Sequence, residues 1–216
     1  MRDCGSPLTR LRLAGAALFA CAAGLAQAAT FLLGVPPHAV QLEVSEHLQA
    51  VHASEGDLLT AWLDYPSGQP LAPQTFSPGP SVVRVVLRPL GPGVPSRAEG
   101  LVDRALPARS EEEPGRPWFV RRTPEGMVVY RLVTQEAWTF NGDDGAVVAV
   151  NMPGTPVHQT HLASRRYGDS LEVIYQYSRE HTDIRAMDAF VLAQLRTHVR
   201  SAVRMPRQPG PGSPAR

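Results

Sequence analysis

Thr160-His-Leu-Ala-Ser-Arg-Arg-Tyr167 and Leu171-Glu-Val-Ile-Tyr-Gln-Tyr177, joined through Gly168-Asp169, read as two strands closed by a tight turn. In the second of them Leu171, Val173, Tyr175 and Tyr177 share one face, and Glu172, Ile174, Gln176 and Ser178 share the other. That is the two-residue period of a strand with one buried side. Directly afterwards the period changes. Ile184, Met187, Val191, Leu195, Val199 and Ala202 recur at spacings of three and four, which predicts an amphipathic helix. Thr182 is the expected cap, with Asp183 in the first turn. Arg196, Arg200 and Arg204 then fall four apart near its carboxyl end, where cations suit the helix dipole.

Upstream, the same β pattern repeats. Trp118-Phe-Val-Arg-Arg-Thr123 and Met127-Val-Val-Tyr-Arg-Leu-Val133 flank the turn residues Pro124-Glu-Gly126. Ala137-Trp-Thr-Phe140 and Ala146-Val-Val-Ala-Val150 flank Asn141-Gly-Asp-Asp-Gly145. Ser81-Val-Val-Arg-Val-Val-Leu-Arg88 is a β-branched strand candidate. Val40-Gln-Leu-Glu-Val44 alternates, and Leu48–Val51 and Leu58–Leu63 suggest a hairpin around Ser54-Glu-Gly-Asp57. A helix over 45–63 is the competing reading, against which Gly56 argues. The expectation is an α+β fold: an antiparallel β-sheet of successive hairpins packed by one C-terminal α-helix.

Residues 89–117 show no regular element and are expected to be a long loop or a subdomain break. Outside it, residues 29–205 are expected to form one domain. The tail from Pro206, with its prolines and glycines, is expected to be disordered.

The amino end has the layout of a secretory signal peptide. Arg2, Arg10 and Arg12 precede the apolar run Leu13–Leu25, and Ala26-Gln27-Ala28 offers a small-x-small cleavage site. Cleavage after Ala28 and a periplasmic location are the expectation. Leu18-Phe19-Ala20-Cys21 also resembles a lipobox, so acylation at Cys21 is the alternative, and with it the only expected membrane contact. Both cysteines, Cys4 and Cys21, lie in this segment. The mature domain is then expected to stand without a disulfide in a compartment that permits one.

The chain is formally +1, and the signal segment accounts for +2, so the mature chain is near −1. That balance gives nucleic acid no electrostatic reason to bind. All 21 basic residues are arginine, which is expected of a GC-rich bacterial genome, with selection for bidentate arginine contacts as the alternative reading.

Metal and catalytic readings find little support in the spacing. His158 and His161, three apart on a strand, point to opposite faces. Asn141–Gly145 matches a calcium loop in composition only. Glu111-Glu-Glu113 reads as a solvated charge run. Ser67 and Ser81 neighbour glycine or proline without completing a Gly-x-Ser-x-Gly elbow, and no phosphate-cradling glycine loop occurs. No cofactor is expected, and the chain is expected not to be an enzyme. A hydrolase of unrecognised type remains a competing reading.

Trp118, Trp138, Tyr130, Tyr167, Tyr175 and Tyr177 crowd the second half. Core and cross-strand packing is one role for them, and an exposed binding face is another. Arg121, Arg122, Tyr130, Arg165, Arg166 and Tyr167 form the expected protein-binding set, since arginine and aromatic side chains dominate interface hot spots.

Gly168-Asp-Ser-Leu-Glu-Val-Ile-Tyr-Gln-Tyr177 with Thr182-Asp-Ile-Arg-Ala-Met-Asp-Ala-Phe-Val-Leu192 resembles the closing strand and helix of periplasmic immunity proteins. Those neutralise effectors, often lipases, delivered by type VI secretion. The resemblance is confined to about forty residues near the carboxyl end. It implies a partner protein in the periplasm, occluded by a loop or sheet face, with the charged 104–116 segment as one contact. The competing expectation is an envelope-associated structural or assembly lipoprotein.

Overall fold

A computed structural model describes residues 28–35, 38–48, 51–52, 58–73, 79–153 and 159–205. The expected signal segment up to residue 27, the tail from Pro206, and His158 lie outside the described residues.

The strands are β1 (Ala28–Leu33), β2 (Val40–Ser45), β3 (Val51–His52), β4 (Leu59–Asp64), β5 (Pro70–Leu71) and β6 (Val82–Pro89). Helix α1 (Arg97–Arg104) follows, then β7 (Trp118–Arg122), β8 (Val128–Arg131), β9 (Glu136–Asn141), β10 (Val147–Met152), β11 (Thr160–Tyr167) and β12 (Leu171–Ser178). Helix α2 (Ile184–His198) and β13 (Val199–Arg204) complete the order. The architecture is α+β and mostly antiparallel sheet, as the hairpin pattern predicts. Among the described residues no helix is long and apolar enough to cross a membrane.

The ten-stranded sheet runs β3-β4-β6-β12-β11-β10-β9-β8-β7, with β5 paired to β4. Its right-hand portion, β7 to β12, is a meander of hairpins. Their turns use Gly126, Gly145 and Gly168 at φ +81, +81 and +56, a region that side chains with a Cβ resist. A separate three-stranded sheet runs β1-β2-β13.

One core binds these layers. Val83, Val85 and Leu87 of β6, Leu171, Val173 and Tyr175 of β12, and Val40, Leu42 and Val44 of β2 belong to it. Ile184, Met187, Val191 and Leu195 of α2 join the same cluster, so the three-and-four stripe does face the sheet.

Four expectations need correction. Residues 89–117 are not one continuous loop, because α1 lies within them. Its start is a capping box: Ser96 accepts from the Glu99 backbone N–H, and the Glu99 carboxylate accepts from the Ser96 N–H. The cap of α2 is Asp183, not Thr182, and its carboxylate accepts from the Ala186 N–H at 2.9 Å. The helical stripe stops at His198. Val199 to Arg204 instead pair with β2, which places Arg200 and Arg204 on a strand. Lastly, β1 precedes the first expected strand and pairs with β2 from Ala28↔Ser45 to Leu33↔Val40.

Candidate functional site

Strand register sorts the large sheet into two faces. The face carrying Leu171, Val173 and Tyr175 packs on α2. The opposite face carries α1, whose Ala98 and Leu101 rest on Ala137 and Ala149, with Tyr130, Leu132 and Val147 around them.

On that α1 side, cross-strand partners line up in rows. The first is Arg166–Glu172–Arg88. The second is Thr139–Ala149–Ser164–Ile174–Val86–Thr60. The third is Ala137–Asn151–Leu162–Gln176–Arg84–Trp62. Side chains two apart along a strand share a face, so each row follows from the alternation in β6, β11 and β12.

The first row anchors α1. Glu172 is fully buried and pairs with Arg88, while its Oε1 accepts from the Arg97 backbone N–H at 2.5 Å. Arg97 Nε lies 3.9 Å from the same carboxylate. One buried negative charge therefore serves two arginines. Arg166 grips Glu99 through Nε and Nη2, at 2.9 and 2.8 Å, and donates from Nη2 to the Val94 carbonyl at 2.9 Å. The Arg166 hydrogen bond is the main reason that the Glu99 carboxyl is held down at about 2.

The second and third rows stay open beside the helix. A hollow of about 220 Å³ lies there. Arg97, Leu101 and Arg104 form its helix wall, and Leu162, Ser164 and Ile174 its floor. Arg97 and Arg104 are seven residues apart, two helical turns, and so share a side. A second hollow continues from Asn151 and Leu162 to Gln135, Thr160 and Gln176. Leu162 is exposed at 39%, with the Gln176 amide donating to Thr160 nearby at 2.7 Å. Arg84 has no ionic partner among the described residues, and its Nε is buried without a hydrogen bond. Arg104 is exposed, and its Nε donates to the Gly100 carbonyl at 2.8 Å.

The six residues expected from the sequence do not form one constellation. Arg122 and Tyr130 line a hollow together on the other side of α1, beside Val102, Val128 and Val147. Arg121 is exposed on the α2-facing side, 5.8 Å from the Trp138 ring centroid and 3.6 Å from Glu136. Arg166 holds α1. Tyr167 is half-buried against the core, and burial pushes its hydroxyl up from the ordinary tyrosine value. Arg165 is a correction: it is wholly buried and offers nothing to a partner. Its guanidinium is held by Asp188 at 2.6 Å and by Asp144 of the β9–β10 turn. The Tyr175 hydroxyl donates to the same Asp188 at 2.8 Å. Burial pushes the Asp188 carboxyl up, against the pull of Arg165 and Tyr175.

Arg84, Arg97, Asn151 and Leu162 escaped the sequence reading, whereas Arg104 opens the charged 104–116 segment expected as a contact. A signal was present for two pairs: Arg84 and Arg88 share a strand face, and Arg97 and Arg104 share a helix side. Of the histidines weighed for metal, His161 is buried on the core face, where desolvation lowers its pKa. Among the described residues no three histidine, cysteine or acidic side chains cluster to hold a metal. Asn141–Gly145 is a hairpin turn, closed by Gly142 N–H to Ala146 O at 2.9 Å. Glu113 is exposed and pairs with Arg116 at 2.6 Å. No family model, curated protein or solved structure matches this chain.

Proposed function

We propose that this chain is an exported, non-catalytic protein that binds another protein and acts by covering it, as an immunity protein covers the effector it neutralises. The observation that carries the reading is the open row Asn151–Leu162–Gln176–Arg84 beside the α1 hollow. It combines an exposed aliphatic side chain, amides and an arginine without an ionic partner among the described residues. Protein interfaces are built from that mixture, an apolar centre with polar groups that fix orientation. The face is also pre-organised. Glu172 and Arg166 fix α1 at its edge, so little ordering entropy remains to oppose binding. The basic and apolar amino end supports export.

The test is affinity capture. The full chain, tagged at its carboxyl end and exported by a bacterial host, is recovered from a native periplasmic extract. Mass spectrometry then identifies what stays bound. One stoichiometric partner, above all a secreted hydrolase, supports the reading; an empty capture under gentle conditions counts against it. Cys21 within Leu18-Phe19-Ala20-Cys21 favours a second reading, an envelope lipoprotein. Radiolabelled palmitate on wild type but not on Cys21→Ser distinguishes the two.

A further inference from the structure

We infer that the hollow beside α1 accepts an acidic segment of the partner protein with an aliphatic residue at its centre. This rests on the protein-binding reading and names the chemistry of that partner.

The charges on this face do not balance locally. Arg84, Arg88 and Arg166 stand on its strands, and Arg97 and Arg104 on α1. Two carboxylates answer them from within the face, Glu172 and Glu99. Glu99 is engaged by Arg166 through two donors. Glu172 is buried and divided between Arg88 and Arg97. Asp64 stands on the same face, diagonal to Arg84 across β4, and is engaged by Ser67, which donates to it at 2.6 Å. Asp103 is exposed on α1, turned about 100° from Arg104 around the helix axis. Arg97 and Arg104 line the hollow itself, Arg97 sharing Glu172 with Arg88, and Arg84 stands beyond it on the same face.

The apolar part is equally placed. Leu101, Leu162 and Ile174 line the hollow between these cations. Arg84 stands two strands from Leu162, about 10 Å at ordinary strand spacing. The α1 wall rises on the other side of Leu162. An aliphatic side chain seated on Leu162 and Ile174 therefore has a cation on either hand. A segment with acids flanking it meets both, and arginine suits carboxylates because its fork binds them in two places. A basic segment meets surplus like charge there, which costs affinity.

The probe is a short capped peptide of aspartate, glutamate and leucine, compared with its lysine counterpart, titrated into the full chain at low and high salt. Saturable binding of the acidic peptide is expected, weakened by salt, with none for the lysine peptide. Arg84→Glu with Arg104→Glu is expected to weaken it by about tenfold or more. Neither residue has a carboxylate partner among the described residues, so the circular dichroism and melting temperature should hold. Arg109→Glu with Arg196→Glu, the latter exposed on α2 across the sheet, changes the net charge equally and is expected to leave binding within about twofold.

No saturable binding, equal binding of the lysine peptide, or a greater effect of the control pair overturns the inference. So does self-association that competes with the peptide, since a second copy's Glu111-Glu-Glu113 would then be the occupant. The two readings fail separately. A partner still captured by the Arg84→Glu, Arg104→Glu chain removes the hollow and leaves protein binding standing. An empty capture with the expected peptide result removes the partner and leaves the chemistry of the hollow.

Discussion

Arg165 on β11 and Asp188 on α2 form an ion pair at 2.6 Å inside the protein, with exposures of 0% and 1%. The pair, with the Tyr175 hydroxyl on Asp188 and Asp144 on Arg165, ties the helix to the sheet. Taking Arg165 away leaves Asp188 without an ionic partner in the core, whereas taking Asp188 away leaves Arg165 with Asp144 alone and the Tyr175 hydroxyl without its acceptor. Arg165→Ala is therefore expected to cost about 3–5 kcal/mol, and Asp188→Asn, which leaves Asp144 on Arg165, less than that. Arg165→Met with Asp188→Leu is expected to cost less than the sum of the two singles, because no lone charge remains. Urea unfolding of the singles and the double measures both.

Gly142 sits against that pair. A Cβ at this position falls 2.8 Å from Asp188 Oδ2 and 3.1 Å from Arg165 Nη1. Those atoms are held by each other and cannot swing aside cheaply. Gly142→Ala is expected to lose about 1–3 kcal/mol, the ordinary cost of overpacking. Gly115→Ala, where nothing lies within 4 Å, serves as the control with no such loss. Thermal melts of the two variants give the comparison.

The attachment of α1 titrates. Glu99 has a folded pKa of about 2 against an ordinary value of 4.5. A lowered carboxyl contributes fully above its ordinary value, and that contribution fades as pH falls from 4.5 to about 2. Both Glu99 and Arg166 are part-exposed, so the pair is worth about 1 kcal/mol or less at neutral pH. Glu99→Gln is expected to melt lower than wild type at pH 7 and to converge with it near pH 2. A gap that stays constant across that window would show that the loss is not ionic. Glu172→Ala removes a fully buried acceptor and strands the Arg97 N–H. It is expected to cost more, about 3–5 kcal/mol, and to loosen α1 in hydrogen exchange.

The hairpins from Trp118 to Tyr177 were readable because alternation and turn residues agreed. Gly126, Gly145 and Gly168 sit where a positive φ is needed, and the segments between them alternate with one buried side. α1 was not read, although Ser96-Arg-Ala-Glu99 is a capping box in plain sequence. Its apolar contribution is small, Ala98 and Leu101, and it docks through Glu172 and Arg166, which a hydrophobic period cannot report. α2 was read too long for the opposite reason. Val199 and Ala202 continue a helical stripe, yet Val199 is also β-branched and meets Val44 across a strand. Arg165 and Arg166 are neighbours and must point to opposite faces, but adjacency does not say which turns inward. The missing signal was Asp188, four residues after Ile184 on the buried side of the helix, a charge that requires an opposite one in the core.

Leu162 separates folding from binding. It is exposed at 39% in the middle of the open row, so the fold gains little from it. Leu162→Asp is expected to change stability by about 0.5 kcal/mol or less. Its effect on binding should be large, because an acid there repels an acidic segment and removes the apolar seat. Leu162→Met keeps volume and polarity and should retain the captured partner. Capture from the same extract by the three chains, with melts run in parallel, decides the matter. Equal capture by the aspartate variant would move the binding surface elsewhere, with the Arg122 and Tyr130 hollow across α1 as the next face to alter.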